Sequence, residues 1–427
     1  MTPRRLFVLM TAAVATAAGA YPLDAYDDTG IRRLEAYRLM TEGVLEGRRQ
    51  PAGALLPTEM VNLRLTHHRG VEIPPPDPVL TRQLEALLGD NVDDYGIVVL
   101  DVTDPYDPRY AEVNADYRQN VGSVGKLIAA LGLFQALADT WPDAADRVRI
   151  LRNRIVTADG FSYTDTHGVA FFDVESRVLT KRPIREGDRA TLWEFLDWML
   201  SPSSNSAAGM VMREAMLIRH FGQAYPPTED EAHQFFNDAS RAELTALFRE
   251  TFEEPLTRNG FDLSQIRQGS FFTRGGKQMV PGSGSSYATA RTLLKYGLLL
   301  EKGLLVDEFS SREIKRLIYV TERRIRYASS PKLRNAAVYF KSGSLYSCMP
   351  EEGFHCGKYR GNRKNYMNSF AIIETHSGDQ RLHYMVMLIS NVLRQNSAVD
   401  HQTLGTRIHN LIQESHADPG SIPGRVR

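Results

Sequence analysis

Cysteine is nearly absent from this chain. Cys348 and Cys356 are the only two in 427 residues, which rules out a cysteine-rich zinc site and a many-bridged disulfide scaffold. Excess charge is missing too: 51 basic residues face 51 acidic ones, with no block of one sign. Neither nucleic acid nor an anionic membrane is therefore indicated as a partner. His-Glu-x-x-His is absent, and His67-His68 is too close-set to share one metal face, so no metal and no cofactor is expected. Gly282-Ser283-Gly284 lacks the strand-then-helix setting of a phosphate loop and reads as a turn. There is no internal repeat and no heptad pattern.

The first twenty residues are the exception to an otherwise globular composition. Arg4 and Arg5 precede an apolar run from Leu6 to Ala17, and Ala18-Gly19-Ala20 offers small residues at both key positions of a cleavage site. The run is short for a membrane span, so residues 1–20 read as a secretory signal peptide, and the mature protein as periplasmic or secreted with no membrane span. Removing two of the 51 basic residues leaves a charge near −2. In an exported protein, two cysteines eight residues apart point to a small loop-closing disulfide, Cys348–Cys356, with two free thiols as the alternative.

Residues 21–76 form an N-terminal extension with a short helix between Gly30 and Gly43, ending in the stiff connector Ile73 to Pro78. Asp77 reads as an N-cap with Pro78 at the first helical position of a helix through Leu88. Tyr95 to Val102 is a strand, and a second lies near Tyr110 to Asn114. Residues 137–189 are mixed, with β-like pieces such as Val169 to Val174, as in an insertion beside the core. Thr191-x-x-Glu194 is a capping box opening a helix that ends at Ser201-Pro202, and a further helix covers Ser206 to Arg219. One polar helix is expected over Glu231 to Thr251, a Gly/Ser-rich loop over Gly275 to Ser286, and a helix over Ala288 to Leu300. Strands at Ala336–Leu345, Ser369–Thr375 and Leu382–Asn391 precede a closing helix, Val399 to Glu414, and residues 416–427 form a flexible tail.

Chemistry concentrates at Asn120-Val121-Gly122-Ser123-Val124-Gly125-Lys126. Ser123 opens a helix, and Lys126, three residues on, stacks on the same face. The residues behind them, from Leu127 to Leu137, are apolar on nearly every side, which marks a buried helix. A lysine entering a dry core disfavours its own charge and becomes a candidate base. Alone, Ser-x-x-Lys is weak; Ser329 to Lys332 matches it as well, with Pro331 opposing a helix there. Two more motifs follow in order: Ser203-x-Asn205 on a turn between helices, and Lys341-Ser342-Gly343 on a strand. Together they are the signature set of class A β-lactamases and penicillin-binding proteins.

From about Asp77 to Glu414 the chain thus resembles the penicillin-recognising serine acyltransferases. The resemblance departs at Ser204, where class A β-lactamases usually hold Asp, and at Ser342, which replaces Thr but keeps the hydroxyl. It implies an α/β (α+β) fold for residues 77–415: an antiparallel sheet flanked by helices, an adjoining all-helical half, and the site at their junction. It also implies that Ser123 is the nucleophile and Lys126 its base, with Lys341 nearby lowering the pKa of Lys126 further. Ser203 would pass a proton to the leaving nitrogen, Asn205 would hold the substrate amide, and Lys341 with Ser342 would bind the substrate carboxylate. The N–H groups of Ser123 and Ser344 would form an oxyanion hole beside Gly343.

Class A β-lactamases release the acyl group with a Glu in a Glu-x-x-Leu-Asn pattern, which this sequence lacks. Glu254, in Glu254-Pro255-Leu256-Thr257-Arg258-Asn259, is the nearest candidate deacylation base, and it also reads as the end of the polar helix. The expectation is a serine hydrolase that takes carboxylate-bearing substrates, β-lactams or D-Ala-D-Ala-type peptidoglycan peptides. It leans to a D,D-peptidase or slow hydrolase, with a β-lactamase of unplaced base as the alternative in the same class. A cell-wall binding or sensor protein without turnover is the alternative outside it, and an esterase or amidase on another acyl donor stays open.

Overall fold

The computed structural model describes residues 22–321, 324–376 and 381–417. The expected signal peptide and residues 418–427 of the expected tail lie outside them. Five antiparallel strands form the main sheet: β1 (Tyr95–Asp101), β2 (Arg109–Val113), β7 (Ala336–Ser347), β8 (Lys364–Thr375) and β9 (His383–Ser390), in the order β2-β1-β9-β8-β7. Two small hairpins, β3 (Ile155–Thr157) with β6 (Arg189–Thr191) and β4 (Val169–Asp173) with β5 (Val178–Arg182), make up the insertion beside the core. β8 begins five residues ahead of its expected start because it pairs with all of β7, from Ala336↔Thr375 to Ser347↔Lys364.

Both faces of the sheet are covered, so β1 is buried at every residue and β9 at all but its first, rather than at alternate ones. Ile97, Val99, Val338 and Phe340 pack with Leu80 and Leu84 of helix Pro78–Leu88 and with Leu404 and Ile408 of helix Ser397–Ser415. Fully burying one such side chain is worth about 1.5–3 kcal/mol. Val98, Leu100, Ala337 and Tyr339 face the helical half. This alternation along β7 carries Lys341 and Gly343 to the helical side, and Ser342 and Ser344 to the other.

Caps set several helix starts. Asp77 accepts from the Val79 and Leu80 N–H groups with Pro78 at the first helical position, and Thr191 and Glu194 close a capping box. The polar helix expected over Glu231–Thr251 is two helices, Glu229–Asp238 and Arg241–Phe252, each opened by its own capping box, Thr228 with Glu231 and Ser240 with Glu243. The turn at Ala239 separates them because Ser240 caps the second helix instead of continuing the first. The short helix Arg274–Met279 occupies the start of the expected Gly/Ser-rich loop.

The N-terminal segment is part of the core. Ile31, Leu34, Val61 and Leu65 are buried in the helical half, and Arg33 pairs with Asp197 at 2.5 Å, both fully buried. At the other end His416, the first residue of the expected flexible tail, meets Asp101 at 2.6 Å, so the start of that segment is held to the end of β1.

Candidate active site

Helix Lys126–Thr140 is buried from Lys126 to Leu137 and runs through the helical half. Gly122 leads into it. With φ +54 it adopts the left-handed backbone that glycine tolerates, and the chain turns into the short 3₁₀ turn Gly122–Gly125 that carries Ser123. Gly343 on β7 packs directly against this turn: a Cβ there would lie 2.1 Å from the Val121 carbonyl oxygen and 2.7 Å from the Ser123 nitrogen. A Cβ on Gly122 would lie 3.2 Å from the Ser344 nitrogen. The backbones of Ser123 and Ser344 are therefore close neighbours, where two N–H groups can face one carbonyl oxygen.

The three motifs, spread over some 220 residues, meet at one point. Lys126 Nζ lies 3.1 Å from Ser123 Oγ, 2.6 Å from the Ser203 carbonyl oxygen, 2.8 Å from Asn205 Oδ1 and 3.3 Å from Ser203 Oγ. Lys341 Nζ donates to Ser203 Oγ at 2.7 Å and to the Ser342 carbonyl at 3.1 Å. Burial lowers Lys126 to about 7, against the opposing pull of Asp165. Burial, Lys126 and Arg326 together hold Lys341 well below the usual lysine range. A neutral amine has two N–H bonds and one lone pair. Around Lys126 the Ser203 carbonyl and Asn205 Oδ1 can only accept, so they take the two N–H groups, and the lone pair is left for a hydroxyl, of which Ser123 Oγ at 3.1 Å is nearer than Ser203 Oγ at 3.3 Å. Such a pairing can draw a proton from Ser123. Ser203, between the two lysines, can carry one onward.

The Ser203 turn is built from outside its own segment. Ser203 has φ +68, and Ser204 accepts from the Ala207 N–H as N-cap of helix Asn205–Phe221. Asp165, in the insertion ahead of β4, accepts from Ser204 Oγ at 2.8 Å, the Asn205 N–H at 2.6 Å and the Ser206 N–H at 3.1 Å. Its other oxygen meets His167 Nδ1 at 2.6 Å. Burial would raise the Asp165 carboxyl, but His167 and the backbone N–H groups of Ser206 and His167 hold it below the usual carboxylate range. Asp165 thus places a carboxylate against Ser204, where the S-D-N form of the motif has its Asp.

On the far side of β7, Arg326 donates to Ser342 Oγ at 2.9 Å and to Ser344 Oγ at 3.0 Å, with its guanidinium 4.6 Å from the centre of the Tyr359 ring. This makes a cationic, hydroxyl-lined cradle suited to a carboxylate. Beyond it Cys348 and Cys356 form a disulfide that closes the loop between β7 and β8, and Leu345, Tyr346 and Met349 are exposed along the rim.

Glu254 is far from this cluster. It is exposed at the start of helix Glu254–Arg258, and Arg258 of the same helix pairs with Asp139 at 2.6 Å. Asp139 lies thirteen residues along the helix from Lys126, roughly 20 Å at helical rise. The exposed, helix-opening Glu254 is therefore removed as a deacylation base. The wall beside Lys126 comes from Phe272, whose ring centre is 5.1 Å from Nζ, and from Gln268, whose Oε1 would lie 2.3 Å from a Cβ on Gly125. Sequence reasoning passes over Arg326, Asp165, Phe272 and Gln268; a basic run ahead of the β7 strand is the one local signal for Arg326.

No protein-family model matches the chain, and no curated protein sequence matches it. Solved structures similar to it include PBP-A, at 11% identity over 80% of this chain and 100% of that one, with a TM-score of 0.48. The β-lactamase from Sphaerobacter thermophilus DSM 20745 is 13% identical over 80% of this chain and 97% of its own, with a TM-score of 0.49. The TLA-3 extended-spectrum β-lactamase is 12% identical over 78% and 98%, with a TM-score of 0.48.

Proposed function

We propose that this protein is an exported serine acyl-transfer enzyme in which Ser123 attacks the carbonyl of a carboxylate-bearing peptide or β-lactam. The observation that carries the reading is the hydrogen-bond arithmetic at Lys126, whose two carbonyl acceptors leave the amine lone pair to the Ser123 hydroxyl. Lys126 takes the Ser123 proton as the C–O bond forms. Ser203, receiving a hydrogen bond from Lys341, delivers its proton to the departing nitrogen as the C–N bond breaks and regains one from Lys126, which returns to the neutral amine. The N–H groups of Ser123 and Ser344 stabilise the oxyanion, Asn205 orients the substrate amide, and Ser342, Ser344 and Arg326 hold the substrate carboxylate. Lys341 donates a hydrogen bond to Ser203 between the two groups.

The reading leans to a D,D-peptidase or slow hydrolase rather than an efficient β-lactamase. Among the described residues, none of the hydrogen bonds of Ser123 or Lys126 goes to a carboxylate. Asp165, the acid that bears on Lys126, is committed to Ser204, Asn205, Ser206 and His167. An aromatic ring and an amide, Phe272 and Gln268, stand beside Lys126 and Gly125. Acylation is provided for, while activation of a water for rapid release is not.

The test is the intact mass of the mature protein over time with penicillin, with Ser123→Ala as control. A persistent one-to-one adduct, absent in the variant, is expected. Consumption of penicillin with little adduct would replace the peptidase reading with a β-lactamase; neither adduct nor consumption would remove β-lactams and their peptide analogues as acyl donors.

A further inference from the structure

Two arginine-bearing stretches, distant in sequence, close around a cavity of about 630 Å³ away from Ser123. Arg48 and Arg49 come from the N-terminal segment, and Arg324 and Arg334 from the stretch ahead of β7. No acidic side chain lines the cavity among the described residues. Arg48, Arg49 and Arg334 are exposed and have no ion-pair partner among the described residues. Arg324 is half-buried, and its guanidinium donates to the carbonyls of Leu333 at 2.8 Å and Ala336 at 2.9 Å, neutral acceptors that leave its charge uncompensated. Burial accordingly lowers it to about 10.

Four guanidinium groups around one concavity repel each other, and a multiply charged anion relieves that repulsion. A planar fork of donors matches phosphate oxygens two at a time, and the total positive charge exceeds what a single carboxylate neutralises. The cavity has the volume of a small-molecule site, and Tyr37 and Met40 give it an apolar wall for the rest of such a molecule. We propose that this cavity binds a phosphate or diphosphate group of a ligand distinct from the acyl substrate. The same stretch of chain serves both places: Arg326 points to Ser342 and Ser344, while Arg324, Ser329 and Arg334 line the cavity behind it.

Calorimetric titration of the full chain with inorganic pyrophosphate tests this. One-to-one binding is expected, weakening steeply as salt is raised, and weakening about a hundredfold in Arg49→Ala/Arg334→Ala, since each charge-assisted contact is worth about tenfold. Arg334→Glu should abolish it, and Ser123→Ala should leave it unchanged. Sedimentation with phosphatidylglycerol–phosphatidylcholine vesicles separates the sources of the group: retention that the double variant loses places it on a lipid, and pyrophosphate binding without retention places it on a soluble molecule. Equal titrations of wild type and both arginine variants, or no saturation by about 10 mM pyrophosphate, overturn the proposal.

Discussion

Two regions of this molecule bury a lysine completely, and they do so in opposite ways. Lys126 is surrounded by hydroxyl, carbonyl and amide oxygens, with a second lysine, Lys341, sharing Ser203. Lys315, at the other end of the sheet, lies 2.5 Å from both Glu301 and Glu374. Burial alone would raise those two carboxyls, but Lys315 beside them holds both below the usual range. Arg64 of the N-terminal segment adds a second cation on Glu374 at 2.8 Å. Glu301, Glu374 and His383 have metal-ligand spacing, yet the ammonium of Lys315 already fills the place between the carboxylates. Burial alone therefore does not make a lysine reactive. It lowers Lys126 because no carboxylate is paired with the amine, whereas around Lys315 two carboxylates are.

That contrast predicts opposite phenotypes. Lys126→Ala should lower the rate of penicillin acylation by about 10²–10⁴, the usual contribution of a positioned base, with the melting temperature unchanged or raised. Lys315→Met should do the reverse. It leaves Glu301 and Glu374 as buried charges without their shared partner, a loss of about 3–5 kcal/mol in denaturant unfolding, while the folded fraction acylates at the wild-type rate. Similar stability losses in both variants would erase the distinction between the two sites.

A smaller effect is expected at Arg326. Arg326→Ala should raise the penicillin concentration needed for half-maximal acylation by about tenfold or more, with little change in the saturating rate, because it removes a charged hydrogen-bond donor from the carboxylate cradle. An unchanged concentration dependence would return the carboxylate to Lys341 and Ser342 alone.

Arg326 also shows where the sequence stops being informative. The Asp77–Pro78 start, the Thr191–Glu194 box and the apolar strands are local patterns, readable because cause and effect lie within a few residues. Ser123 with Lys126 is local in the same sense. The second box, Ser240-x-x-Glu243, is equally local and marks the start of the second polar helix. Arg326, itself at φ +53, reaches Ser342 and Ser344 from the turn ahead of β7, and Asp165 reaches the Ser203 turn from 38 residues upstream. No periodicity or spacing encodes such contacts; tertiary packing does.

Asp165 allows the smallest and most discriminating test. Among the described residues it is the carboxylate that bears on Lys126, and its charge favours the ammonium form, so it opposes the effect of burial. Only neutral Lys126 can take the Ser123 proton, so wild-type acylation should rise with pH through about 7. Asp165→Asn removes the charge and keeps an oxygen for part of the Ser204–Ser206 contacts. The sign follows: without the anion the ammonium is less favoured, the lysine pKa falls, and the midpoint of the acylation profile moves to lower pH. The saturating rate should drop by at most about tenfold, the worth of a weakened hydrogen bond. A purely structural role would lower the rate at every pH and leave the midpoint in place. Folding adds an independent readout. The unfolded chain keeps Lys126 protonated up to its ordinary pKa, so between about 7 and about 10 it binds more protons than the native state, and stability gains from this residue as pH rises through that window. Lys126→Met should flatten that slope, whereas Asp165→Asn should extend it toward lower pH.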